Sequence, residues 1–201
     1  MPRYYVLNCI APLELEHWNL DVDDGAKSKR WAAGNPFSQG EKREAFNPPH
    51  ELIEVTTAAD DEYLPRVYAA LYWNPIPLMN RPLVAALKAA GVDNLQTFET
   101  KLLTVRGQNP PPADHYLAVN IVGRVAAADL QKSEINPAVH EKLISMDFYS
   151  LSVDDSKARG FLMFRLAENI STVLVHERVK KQIEAEGINT LTWLAPEKWA
   201  G

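Results

Sequence analysis

The sequence predicts an α+β fold: a largely antiparallel sheet with two helix–Gly–strand units packed on it. Two observations lead there. Asn80 to Phe98 and His176 to Leu194 each read as a helix, a glycine stop and a strand. Around them lie several short, apolar, β-prone runs that regular helices do not separate, which argues against repeated βαβ units.

The first unit carries the usual helix punctuation. Asn80 accepts a bond from a free backbone N–H at the helix start. Pro82 falls in the first turn, where a missing N–H costs little. Leu83, Val84 and Leu87 share one face, and Gly91 permits the left-handed conformation that ends a helix. The second unit repeats this pattern 96 positions later: Val179 for Leu83, Ile183 for Leu87, Gly187 for Gly91, Ile188 for Val92 and Leu191 for Leu95. The echo has two readings, an internal duplication or a common helix-stop-strand design used twice.

Taken in order, Arg3 to Asn8 is a first strand. Residues 11 to about 50 hold many charges, several Gly and Pro, and Trp18 and Trp31; they read as a long irregular excursion with a short strand near 17–22. Leu52 to Thr57 is a strand, Tyr63 to Trp73 is helix or strand, and Asn74-Pro75-Ile76-Pro77 is a break before the first helix. Leu95–Phe98 and Leu102–Val105 follow as paired or sequential strands. Tyr116 to Val122 is apolar on both faces apart from Asn120, as in a strand covered on both sides. Gly123 bends the chain before Arg124 to Ala127. Ser145–Val153 and Phe161–Leu166 are further strands, Thr172 to Val175 leads into the second helix, and the tail beyond Trp193 packs loosely. The expectation is a single domain over 1–201, with a loop-rich part at 11–75 and a core at 76–201.

The composition is that of an ordinary folded protein, and 201 residues are ample for a core. No run approaches the roughly 18 apolar residues of a membrane span, and the start lacks the apolar stretch of a signal peptide. The lone Cys9 has no internal disulfide partner, which suits a reducing cytoplasm. The net charge is −5 and bases are mixed with acids throughout, so no nucleic-acid stripe is present. Acids cluster at Asp21/Asp23/Asp24, Asp60/Asp61/Glu62 and Asp154/Asp155; they read as solvated loops or as a surface that meets a basic protein.

No catalytic, metal or cofactor motif is present. The five histidines lack helical metal spacing, and there is no nucleophile elbow, phosphate loop or dinucleotide fingerprint. Asn120 and Arg165 stand inside strongly apolar strands, so each needs a partner; Asp129 is one candidate for Arg165. Trp31, Tyr72, Trp73 and Trp199 lie in or near loops, where aromatics anchor an interface or roof a small core.

Several segments resemble the immunity proteins of bacterial polymorphic-toxin and contact-delivery systems, a family long known only as a domain of unknown function. They are Tyr4 to Leu7, Pro82 to Phe98, YLAVNIVGRVAAADLQKS at Tyr116 to Ser133, Met163 to Leu166, and His176 to Leu194. Residues 11–75 match weakly. The resemblance implies a bacterial cytoplasmic protein that binds a cognate toxin and blocks it, with no cofactor, no catalysis and no partner in nucleic acid or membrane. The candidate toxin surface is the 11–75 region, with Asp60, Asp61 and Glu62 as steering charges and Trp31 and Trp73 as anchors. Two other classes compete: a small hydrolase that reverses a toxin's modification, and an accessory chaperone or scaffold for a secreted effector.

Overall fold

The computed structural model describes residues 3–8, 16–17, 19–22, 31, 33–37, 53–56, 66–67, 69–74, 76–100, 102–105, 115–137 and 146–201. Cys9, Trp18, Asp23, Asp24 and the Pro-rich 106–114 stretch lie outside the described residues.

The described elements run, in order, β1 (Tyr4–Asn8), β2 (Glu16–His17), β3 (Asn19–Val22), β4 (Ile53–Thr56), β5 (Arg66–Val67), β6 (Leu71–Asn74) and β7 (Ile76–Asn80). Helix α1 (Arg81–Ala89) follows, then β8 (Leu95–Glu99), β9 (Leu102–Val105), β10 (Tyr116–Ile121), β11 (Arg124–Val125), β12 (Glu134–Ile135) and β13 (Phe148–Ser150). The short helix α2 (Asp155–Ala158), β14 (Met163–Leu166), β15 (Val173–His176), α3 (Glu177–Ala185), β16 (Thr192–Leu194) and a single 3-10 turn (Pro196–Lys198) complete the chain. Helices and mainly antiparallel sheets make this an α+β fold. The two main sheets have the orders β6-β7-β10-β8 and β11-β14-β15-β1-β16.

Both predicted helix–Gly–strand units form. The Asn80 Oδ1 accepts from the Leu83 N–H at 2.9 Å, a cap worth about 1 kcal/mol. At the other end the Gly91 and Val92 N–H groups donate to the Lys88 and Leu87 carbonyls, with Gly91 at φ 96°. Gly187 and Ile188 make the same pair of bonds to Glu184 and Ile183, with Gly187 at φ 74°. This paired closure satisfies orphan carbonyls and requires a left-handed residue. Leu83, Val84 and Leu87 of α1 and Val179 and Ile183 of α3 are buried in one shared core. Each such side chain contributes roughly 1.5–3 kcal/mol by leaving water.

The similarity extends beyond the helix units. β10 lies antiparallel between β7 and β8, and β1 lies antiparallel between β15 and β16. Tyr116 sits opposite Asn80, and Tyr4 opposite His176. Ala118 sits between Leu78 and Phe98, and Val6 between Leu174 and Leu194. Asn120 pairs with Gln96, and Asn8 with Thr192. The hydrogen bonds recur too. The Tyr116 hydroxyl donates to the Ala69 carbonyl at 2.7 Å; the Tyr4 hydroxyl lies 3.0 Å from the equivalent Phe161 carbonyl and closer, at 2.6 Å, to that of Ala158. The Arg81 N–H bonds the His115 carbonyl, and the Glu177 N–H the Arg3 carbonyl. Each unit is thus a hairpin, a helix and a returning strand, with one further strand inserted in the middle. The 96-residue echo is the visible part of an internal structural duplication.

Among the described residues, polar ties join the two units through Arg178, Asn94 and Ala70. Arg178 Nη2 donates to the Ala90 carbonyl at 2.8 Å, at the C-terminal end of α1, where a cation also meets the negative end of the helix dipole. Asn94 Nδ2 donates to both the Val122 and Met163 carbonyls, and the Ala70 N–H donates to Thr190 Oγ1.

Two expectations are corrected. Asn74 to Pro77 is the turn and start of a β6–β7 hairpin, in which Trp73 opposes Pro77. Pro77 is tolerated because the β7–β10 pairing begins one residue later, at Leu78, so its missing N–H is not required there. The tail is also pinned. The Phe148 and Gly201 backbones exchange two bonds, and Trp199 packs against a second core that contains Phe148, Phe164 and Leu174. Of the two readings for Leu95–Phe98 and Leu102–Val105, the sequential one holds: β8 joins β10 and β9 joins β4.

Candidate functional site

The first unit presents its face away from the helices to an aromatic cluster. Trp31 lies 5.1 Å from Phe37 and 5.4 Å from Phe98, centroid to centroid, and Phe37 lies 5.6 Å from Phe98. Such edge-on contacts suit the ring quadrupoles. The 33–37 segment is held on the sheet by side chains that act as backbone would. Gln96 Oε1 accepts from the Phe37 N–H at 2.8 Å, while Gln96 Nε2 donates to the Phe37 carbonyl at 3.0 Å. Asn120 Nδ2 donates to the Asn35 carbonyl at 2.8 Å and to Gln96 Oε1 at 3.1 Å. The Asn120 amide nitrogen therefore has the partners its burial requires, while its Oδ1 is buried without one.

Trp31 is 0% exposed. An interface anchor must bring accessible area to its partner, and Trp31 has none. It is a core residue, packed against Phe37 and Phe98. Trp73 is half-buried and keeps some surface. Asp60, Asp61 and Glu62 lie outside the described residues. Of the five predicted surface residues, Trp31 and Trp73 alone fall among the described residues. Among the other acids, Asp154 caps α2, accepting from the Ser156 and Lys157 N–H groups. The Ser156 hydrogen bond, more than any other contact, holds its carboxyl below the usual range. Asp129 is paired with Lys132 at 2.6 Å, so it is not the partner of Arg165.

Arg165 is the least expected group in the molecule. It projects from β14 and is 1% exposed. Its Nη1 donates to the Ile170 carbonyl at 3.0 Å, and its Nε meets no acceptor. No carboxylate reaches it among the described residues. Burial alone pulls the guanidinium down to about 10, so it remains charged at neutral pH. The guanidinium carbon lies 5.4 Å from the centroid of the Trp73 ring, a cation–π contact. Trp73 opposes Pro77 and Arg165 opposes Val173, so the two residues hold equivalent places in the duplicated units. The contact is a meeting of the two copies. Gly34 closes it from the side: a Cβ there would stand 2.8 Å from the Ile121 carbonyl oxygen and 3.0 Å from Arg165 Cδ.

Among the described residues, three large apolar side chains not singled out from sequence are exposed: Leu130 in the 129–133 turn, Tyr149 on β13 and Phe161 after α2. Strand alternation marks Tyr149, since its neighbour Phe148 faces the core. Among the described residues no group of three His, Cys, Asp or Glu side chains gathers as a metal site would require. No described helix is long and apolar enough to cross a membrane.

The family model for the Imm11 immunity proteins matches residues 24–197. The chain belongs to the Imm11 immunity protein family. The match includes residues 24–75, where the sequence resemblance was weak, and leaves out β1, where part of it lay. β1 is nonetheless the central strand of the second unit, so the matched stretch and the opening strand fold together. Comparison with curated proteins gives no match. Immunity function is the property this family membership carries, and a toxin is the general kind of partner it implies.

Proposed function

We propose that this Imm11 protein neutralises one cognate toxin by direct, one-to-one contact in the bacterial cytoplasm, without catalysis or cofactor. The observation that carries the reading is the family match over residues 24–197. Binding strong enough to silence a toxin buries a standard interface, on the order of 1,600 Å² in total, with a few residues carrying most of the energy. The net charge of −5 and the acidic clusters of the 11–75 region favour a basic toxin domain. Trp73 is the aromatic anchor that retains surface beside that region.

Opposite charge speeds encounter, and salt screens it. Replacing Asp60, Asp61 and Glu62 together by lysine should slow association with the purified toxin domain several-fold at low salt and leave the fold intact. Association rate against ionic strength is the measurement. Equal rates for wild type and variant at every salt concentration would remove those acids from the encounter surface.

A further inference from the structure

We infer that Arg165, backed by Trp73, is a carboxylate-binding socket. A guanidinium removed from water and left without an anion is costly, and folded proteins rarely keep one unless something else compensates. Here two ordinary compensations are small. One neutral carbonyl, that of Ile170, takes one N–H, and the Trp73 ring takes one face of the cation. The Nε–H is left over inside the protein. Nε and its neighbouring Nη form the fork that a carboxylate engages with two parallel bonds, and in a dry site such bonds are far stronger than in water.

The location fits a ligand that enters from outside. Trp73 and Ile170, the two residues in contact with the guanidinium, are both half-buried and so reach the surface. The third wall is the backbone of Gly34, between the exposed Asn35 and Pro36. The duplication isolates the feature. The first unit places a tryptophan at this position, which needs no anion; the second places an arginine, which does. A hairpin of this kind therefore forms with an apolar residue at the equivalent place in the first unit.

The same chemistry has two sources, a free small carboxylate or the Asp or Glu side chain of a bound protein. The second source rests on the toxin-binding reading above; the socket itself does not. The test uses the full chain alone, with sodium acetate as the probe and sodium chloride at equal ionic strength as the reference. Thermal unfolding is followed for wild type, Arg165→Met and Arg165→Lys. Acetate should raise the wild-type midpoint logarithmically above its dissociation constant, by about 3–6 °C at ten times that constant. Arg165→Met should melt higher than wild type without acetate and should show no acetate-specific rise. Should that variant fail to fold, Arg165→Lys keeps the charge and loses the fork, and it should bind acetate at least tenfold more weakly. Equal responses of wild type to acetate and chloride would overturn the proposal. So would an acetate response in Arg165→Met, or one in Arg165→Lys as strong as in wild type. Once acetate binding holds, the toxin assay assigns the source. Tenfold weaker toxin binding by Arg165→Met marks a side chain of the partner, and unchanged binding marks a free carboxylate.

Discussion

The two duplicated units differ less in backbone than in what they place at equivalent positions. Both put a tyrosine opposite the helix cap and a glycine after the helix. Both put an asparagine at the far end of the inserted strand. Those positions are fixed by geometry: a hydroxyl that must reach a particular carbonyl, and a φ that a side chain resists. The units part company elsewhere. The cap is Asn80 in one and His176 in the other. The facing pair is Trp73 and Arg165. The 31–37 segment covers the outer face of the first unit, and a longer excursion with its own core covers that of the second. What the fold needs is shared; what it does not need is where the two units differ, and the buried Arg165 is among those differences.

The comparison breaks most severely if the two helices are not parts of one core. Leu87→Ala and Ile183→Ala each remove a fully buried side chain from the same cluster. Each should cost about 2–5 kcal/mol, in a single unfolding transition that moves as a whole. Two separate transitions in a denaturant titration would show that the units fold independently. The glycine stops should differ more subtly. Both have positive φ, so an alanine costs about 1 kcal/mol at either. At Gly91 the new Cβ also meets Arg178 Nη2 and Leu162 Cδ1 at 3.3 Å, while at Gly187 it meets open space. Gly91→Ala should therefore melt below Gly187→Ala, and the reverse order would contradict the tie between α3 and the end of α1.

The caps give the smallest effect, and it depends on pH. Burial first, then the positive charge of Arg3, hold the His176 imidazole below its ordinary value. The unfolded chain therefore takes up the proton first as pH falls. This group's contribution is fully present above about pH 6.5 and is lost progressively below it. Its Nδ1 accepts the Arg178 N–H at 3.1 Å, a bond that protonation abolishes. His176→Asn copies the first unit's cap and should flatten the pH dependence of the melting temperature between 7.5 and 5.5. A variant with the wild-type slope would place the titrating group elsewhere.

Much of this was readable beforehand, and the failures have physical causes. The helix units were legible because cap, apolar face and glycine lie within twenty residues of one another. The full duplication was not, although Tyr4…Asn8 and Tyr116…Asn120 share their spacing. The inserted strand precedes its unit in one copy and follows it in the other, so no single displacement aligns both parts. Pro77 was read as a break because local sequence does not show where the pairing of β10 stops. The tail was read as loose because its hold, the Phe148–Gly201 exchange, spans more than fifty residues. Arg165 was rightly marked as needing a partner, but the acid nearest in expectation, Asp129, is taken by Lys132. The burial of Trp31 is not legible locally, because a tryptophan in a loop-like stretch is enclosed only when Phe37 and the sequence-distant Phe98 close over it.

Inhibition by contact and protection by catalysis differ in stoichiometry. The cognate toxin domain is held at a fixed concentration well above the dissociation constant, and the purified immunity protein is titrated in while residual toxin activity is followed. Direct neutralisation predicts a linear loss of activity that reaches its end at one equivalent, with a one-to-one complex in size-exclusion chromatography. Full protection at a small fraction of an equivalent, or no complex at any ratio, would contradict it.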